Sequence, residues 1–201
     1  MSMRYNHFEI EKIMNTFTIL VDSREKPTDE YEQRLNQMKC KINRVAMNYG
    51  DYTCKVTLPN GEVLDFSQKV VIERKQNLDE LIQNFIDRDS IREDEDGNKT
   101  NRIQREFIRA RKDGCRIYLL IENANWENAF NGKYRSKLHP NAFTAFLTAW
   151  SIRYHLQILF CKAETSGKLI KQILYREVKE YLTNLEEGER IGANKAISGS
   201  G

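Results

Sequence analysis

Long apolar runs are missing from this chain of 201 residues, and with them any obvious helix able to span a bilayer. The first residues, Met1 to His7, lack the apolar core of a signal peptide, so the expectation is a cytoplasmic, soluble protein with no membrane contact. Histidine is scarce, with three residues, and the four cysteines form no CxxC pair and lie near no histidine at metal-ligand spacing. A zinc site is therefore unexpected. With no sign of secretion, Cys40, Cys54, Cys115 and Cys161 read as buried thiols rather than disulfides. No internal repeat is present, and the net charge of +3 is too small to announce a nucleic-acid partner.

The distribution of charge says more. Residues 99–116 carry seven basic side chains against two acidic ones, a local excess of +5 that exceeds the net charge of the whole chain. Just upstream, residues 87–96 carry six acidic side chains against two basic ones. Within them Asp94-Glu95-Asp96-Gly97 superficially suggests a calcium loop. With Gly97 at the sixth position, however, Arg92 and Ile103 fall where the first and twelfth ligands belong, and neither can bind calcium.

A hydrophobic fraction of 40% supports one core, and the expected organisation is a leader at 1–15, a single domain at 16–185 and a flexible tail at 186–201. Strand-like segments occur at 16–22, 42–47, 52–58, 70–75, 116–122 and 156–161. Asn60-Gly61 marks a hairpin whose return strand is expected near 70–75. Helical spacing appears at 29–40, from Asp79, at 102–112 with Gly114 as its stop, from Pro140, and at 168–185. Residues 87–101 read as an exposed loop. Alternating strands and helices imply an α/β layered fold, and the apolar run 117–121 suggests the middle of a covered sheet.

The chemistry lies in Gly50-Asp51 followed by Glu73-Arg74-Lys75 and Asp79. Hydrolysis of a phosphodiester needs an activated water and a stabilised leaving oxygen, and magnesium or manganese held by oxygen ligands supplies both. Asp51 and Glu73 are hard ligands of that type. Glu73 and Lys75 are two apart, so a strand points both to one face. A lysine there positions or deprotonates the attacking water, or steadies developing phosphate charge. Arg74 points to the other face; its backbone carbonyl is a further candidate ligand, and its side chain is expected to buttress the site through a carboxylate. Asp79 is expected to orient Lys75 or Arg74, or to cap the following helix. Asp22-Ser23-Arg24-Glu25 adds acidic groups at the end of another strand. An isolated D…ExK spacing recurs by chance; the surrounding residues give it meaning.

Taken together, Asp22-Ser-Arg24-Glu25, Gly50-Asp51 and Glu73-Arg74-Lys75-Gln-Asn-Leu-Asp79 resemble the nuclease domain of the XPF family of structure-specific endonucleases, within the PD-(D/E)xK superfamily. Gln104-Arg105 in a basic helix, the strand ending at Glu122 and Glu164-Thr165-Ser166 before the long last helix are similar as well. The resemblance covers residues 16–183. It implies a restriction-endonuclease-like central mixed β-sheet flanked by helices, with magnesium or manganese as cofactor. It also implies Asp51 and Glu73 as metal ligands, Lys75 as the catalytic lysine, Asp22 and Glu25 completing the acidic site directly or through water, and Arg24, Arg74 and Asp79 in support. A homodimer through the nuclease domain is expected too. The tandem helix-hairpin-helix modules and helicase domain of many relatives have no counterpart in the sequence, which reads as a stand-alone nuclease domain of bacterial or phage type.

For DNA contacts the expected residues are Arg102, Arg105 and Arg109 on the basic helix, and Lys133, Arg135 and Lys137 in a loop where Tyr134 is placed to stack on a base. Phe143, Phe146 and Trp150 read as core or dimer interface. The expected function is a metal-dependent DNA endonuclease acting on branched or partly single-stranded DNA. The rivals are a non-catalytic DNA-binding or dimerisation module of the nuclease fold, and a nuclease acting on RNA or within a larger complex.

Overall fold

The computed structural model describes residues 5–93 and 97–198, with side chains described to residue 183. The acidic residues 94–96 and the last residues of the expected tail lie outside that range. In chain order the elements are α1 (His7–Met14), β1 (Thr18–Asp22), α2 (Asp29–Met38), β2 (Lys41–Val45), β3 (Tyr52–Thr57), β4 (Val63–Asp65), β5 (Val70–Lys75), α3 (Leu78–Ile86), β6 (Arg92–Glu93), β7 (Lys99–Thr100), α4 (Arg102–Lys112), β8 (Arg116–Glu122), α5 (Trp126–Phe130), α6 (Pro140–Tyr154), β9 (Gln157–Cys161) and α7 (Ala163–Ser198). No described helix is long and apolar enough to cross a membrane.

The main sheet runs β2-β1-β3-β5-β8-β9, with β4 also paired to β3. It is mixed, as expected. β1 is parallel to β2 and antiparallel to β3, while β5, β8 and β9 are mutually parallel. Helices cover both faces. Val70 and Ile72 of β5 pack with β1, β3, α1 and α7 on one side; Val71 packs with α3, α4 and α6 on the other. Period-two alternation then orients the rest of β5: Glu73 and Lys75 share the face of Val71, and Arg74 shares that of Ile72. The same parity puts Glu122, the last residue of β8, on the face of Leu120 and Arg74.

Three expectations change. The residues expected as a leader include α1, which is closed by a capping box between Asn6 and Glu9 and buries Ile10, Ile13 and Met14 against the core. Residues past 185, expected as a flexible tail, carry the backbone of α7 on to Ser198. The Asn-Gly turn returns β4, not β5: Thr57 pairs with Val63 and Lys55 with Asp65, because a tight turn pairs its nearest neighbours first. A second turn at Phe66–Lys69 then feeds β5 along the same edge of β3, where Tyr52 meets Ile72. The loop after α3 also holds a small hairpin, β6–β7.

One seam is notably close. A Cβ on Gly167 of α7 would collide with the carbonyl oxygen of Arg34 in α2. Gln37 brackets the same spot, donating to the Ala163 carbonyl at 3.1 Å and accepting from the Gly167 amide at 2.9 Å. α2 is thereby held against α7, and Arg34 is carried under the sheet.

Candidate active site

Asp51 sits at a backbone crossing. Its amide donates to Ile72 O at 2.9 Å, and its carbonyl accepts from Asp22 N at 2.9 Å, so it is tied to the middle of β5 and to the end of β1. Gly50 makes the approach possible: it has φ +71°, and a Cβ there would lie 2.8 Å from Cβ of Val71. Asp51 Oδ2 then accepts from the Arg74 amide at 2.7 Å, which places the carboxylate over the Glu73–Arg74 peptide.

Glu73 and Lys75 are both buried, 3% and 4% exposed, and Lys75 Nζ lies 2.8 Å from Glu73 Oε1. The strand parity read from the sequence thus brings these two together, with Asp51 alongside. Burial raises the Asp51 pKa well above the carboxylate range, with the charge of Glu73 adding to it and Lys75 opposing. Burial alone would lower the Lys75 pKa; the charges of Glu73 and Asp51 outweigh it and leave the amine raised. Lys75 is therefore an ammonium at neutral pH.

These residues line a cleft of about 150 Å³ together with Asp22, Arg24, Glu25, Arg74, Glu80, Arg102 and Glu106. Asp22 is committed to Arg24, accepting from its backbone amide at 2.8 Å and its Nε at 3.0 Å, while the guanidinium also donates to Met47 O at 3.1 Å. Glu25 reaches into the cleft and lies 3.8 Å from Arg34. Arg74 turns its side chain beneath the sheet to Glu122 Oε2 at 3.0 Å. Glu122 is 1% exposed and also accepts from Arg34 at 3.2 Å, whose Nε donates to the Tyr52 hydroxyl at 2.8 Å. A buried carboxylate thus joins two guanidiniums directly behind the acidic cleft.

Four residues at or behind the cleft carry no role that the sequence assigned. Glu80 accepts from the Gln76 amide at 2.7 Å and stands 3.7 Å from Lys75. Glu106 is buried, its pKa raised by burial and then by Glu73. Glu122 had a legible signal, a carboxylate closing an otherwise apolar strand. Arg34 had none, since nothing distinguishes it from any charge on an amphipathic helix.

Several expected roles need correction. Among the described residues Asp79 forms its hydrogen bonds and ion pair with Arg135 and Ser136 and none with Lys75 or Arg74, and Asn77 caps α3 instead, accepting from Glu80 N. Asp79 Oδ1 accepts from the Arg135 and Ser136 amides at 2.7 and 3.2 Å. Arg105 Nη1 donates to Ser90 O and Thr100 O at 3.0 and 2.6 Å, which ties this side chain to the β6–β7 segment. Tyr134 is not free to stack: its ring packs edge-on to Phe143 at 5.5 Å, and its hydroxyl donates to Leu138 O. Arg102 lines the cleft mouth with its side chain 63% exposed, and Arg109 is exposed while donating to Asn48 O at 3.0 Å. Lys133, Arg135 and Lys137 are exposed in a different loop, away from the basic helix in sequence.

No group of three His, Cys, Asp or Glu side chains among the described residues forms a ready-made metal cage. The donor set still suits a magnesium-like ion. Such ions keep several waters and take one or two carboxylates rather than an all-protein shell. Asp51 and Glu73 supply those carboxylates, and the negative charge of Glu73, which adds to burial in raising Asp51 and Glu106, is charge a cation would neutralise.

No curated protein matches the sequence. Among solved structures, the chain is similar to XPF from Aeropyrum pernix at 16% identity and a TM-score of 0.53, covering 85% of this chain and 69% of that one. It is also similar to XPF from Aeropyrum pernix in complex with DNA, at 16% identity and a TM-score of 0.51, covering 81% of this chain and 66% of that one. The chain thus spans about two thirds of each solved relative. The ERCC4 domain model matches residues 21–173, from the end of β1 into α7, and the chain belongs to the ERCC4 domain family, with an XPF-type nuclease domain as its fold.

Proposed function

We propose that this protein is a magnesium- or manganese-dependent DNA endonuclease that hydrolyses phosphodiester bonds in branched or partly single-stranded DNA. The observation that carries the proposal is the meeting of Asp51, Glu73 and Lys75 in one cleft at the ends of β3, β5 and the Asp22 turn. The XPF relative solved with DNA supports a nucleic-acid substrate for this chain.

Asp51 and Glu73, with the Arg74 carbonyl, would hold the cation, and Glu25 would reach it directly or through water. When bound, a divalent ion supplies Lewis acidity and an acidified water. The chain's own residues do the rest. Lys75, held as an ammonium by Glu73, steadies negative charge gathering on the phosphoryl oxygens and orients the attacking water; it is not a resting base. The Arg74 amide fixes the Asp51 carboxylate. Arg102, at the mouth, is placed to meet a phosphate. Ala142, Ala145, Phe146 and Ala149 of α6 leave an apolar groove, with Phe146 50% exposed, that suits the expected homodimer. A light-scattering mass of one chain at micromolar concentration counts against that.

The test is cleavage of fork, flap, bubble, duplex and single-stranded DNA, and matching RNA, with manganese. Asp51→Asn and Lys75→Ala are expected to lower the rate by at least about a hundredfold while DNA affinity stays within a few-fold. Undiminished cleavage by both variants removes the assignment.

A further inference from the structure

The aspartate that completes the motif, Asp79, does not face the reacting cleft; it grips a loop. Its Oδ1 accepts from two consecutive amides, Arg135 and Ser136, and its Oδ2 lies 3.6 Å from Arg135 Nε. The loop is fastened at other points as well. Lys133 N donates to Asn128 O at 2.8 Å, Leu138 N donates to Ser136 Oγ at 3.2 Å, and Tyr134 is packed inward on Phe143. With Tyr134 and Ser136 turned in, alternation leaves Lys133, Arg135 and Lys137 outward, the Arg135 side chain 89% exposed. Asp79 stands in the first turn of α3, four residues beyond Lys75. The grip therefore holds a row of three cations at a fixed offset from the catalytic strand.

We propose that residues 132–138 form a pre-ordered cationic track for the DNA backbone flanking the scissile bond, and that Asp79 is its clamp, a positioning residue outside the hydrolytic chemistry. An ordered loop loses less conformational entropy when it meets a phosphate row than a mobile one does. The proposal rests on the nuclease reading for what the track serves, but not for whether it binds.

The variants separate clamp from chemistry. Asn at Asp79 keeps the oxygen that accepts both amides and loses the charge, while Ala loses both. Binding to a duplex is measured against salt in a Lys75→Ala background, and single-turnover cleavage at saturating DNA in the otherwise unaltered chain. Changing Lys133, Arg135 and Lys137 together to Ala should flatten the slope of log affinity against log salt by about 2 to 3. Asp79→Ala should weaken binding about fivefold to tenfold and speed amide exchange at Arg135 and Ser136, with the saturated cleavage rate within about twofold. Asp79→Asn should behave like the unaltered chain in all three. An unchanged salt slope in the triple variant overturns the track. A saturated rate lost in both Asp79 variants with binding intact overturns the clamp and returns Asp79 to the chemistry. If the unaltered chain cleaves nothing, the nuclease reading falls, while the salt slopes and exchange rates still decide the track.

Discussion

Gly50 shows how one residue holds the site together. It combines a left-handed backbone with a Cβ position 2.8 Å from Val71 Cβ, so a side chain there meets both strain and a fixed neighbour. Gly50→Ala should cost at least about 1–2 kcal/mol from the backbone alone. Its loss of cleavage should exceed what the drop in Tm accounts for, because Asp51 moves with it; a denaturation curve and a cleavage rate on the same preparation check this. The neighbouring triad has a matching logic. Lys75 stays protonated because Glu73 and Asp51 surround it, and Asp51 is raised because burial and Glu73 disfavour its charge. The i, i+2 rule put Glu73 and Lys75 on one face, and the surrounding motif residues, Gly50-Asp51 among them, gave that pair its meaning. Glu80 and Glu106 were not legible, since their approach depends on where α3 and α4 dock.

At the scale of elements, the buried Arg34–Glu122–Arg74 group links α2, β8 and β5. Glu122→Ala leaves two buried guanidiniums without their carboxylate and should destabilise the fold by about 3–5 kcal/mol. Glu122→Gln keeps an acceptor and the volume and should cost less; equal losses in urea unfolding would show that the two guanidiniums need the negative charge and that an uncharged acceptor does not replace it. The α2–α7 seam supplies a second test. Gly167→Ala forces apart a contact in which the Arg34 backbone, not a flexible side-chain tip, occupies the space. The expected loss is about 1–3 kcal/mol, read as a lower Tm. Cleavage should fall as well, through displaced Arg34. The sequence located most of these elements because their apolar spacing is local. It paired β3 with β5 but missed β4 between them, because Asn60-Gly61 announces a turn without saying how long the return strand lasts. It also left α1 unassigned, because that short helix is stabilised mainly by packing against α7 and β3.

The whole molecule gathers six carboxylates and four basic side chains in a cleft at one end of a sheet that is covered on both faces. A divalent ion that binds there only in the folded state should raise the melting temperature. At a hundred times its dissociation constant it adds about 2.7 kcal/mol, and the gain should disappear in Asp51→Asn/Glu73→Gln. Thermal melts with and without manganese measure this independently of cleavage; an equal gain in the double variant places the ion elsewhere. The order of residues was enough to set the class of fold, the strand that carries Glu73 and Lys75, and the kind of chemistry their types allow, because periodicity and side-chain chemistry are properties of neighbours along the chain. Packing in three dimensions was needed to make Asp79 hold a loop, to spend Arg105 on carbonyls and to bring Arg34 beneath the site. Those roles depend on which distant backbone amides and carboxylates come within about 3 Å, and that is fixed only when helices and sheet pack.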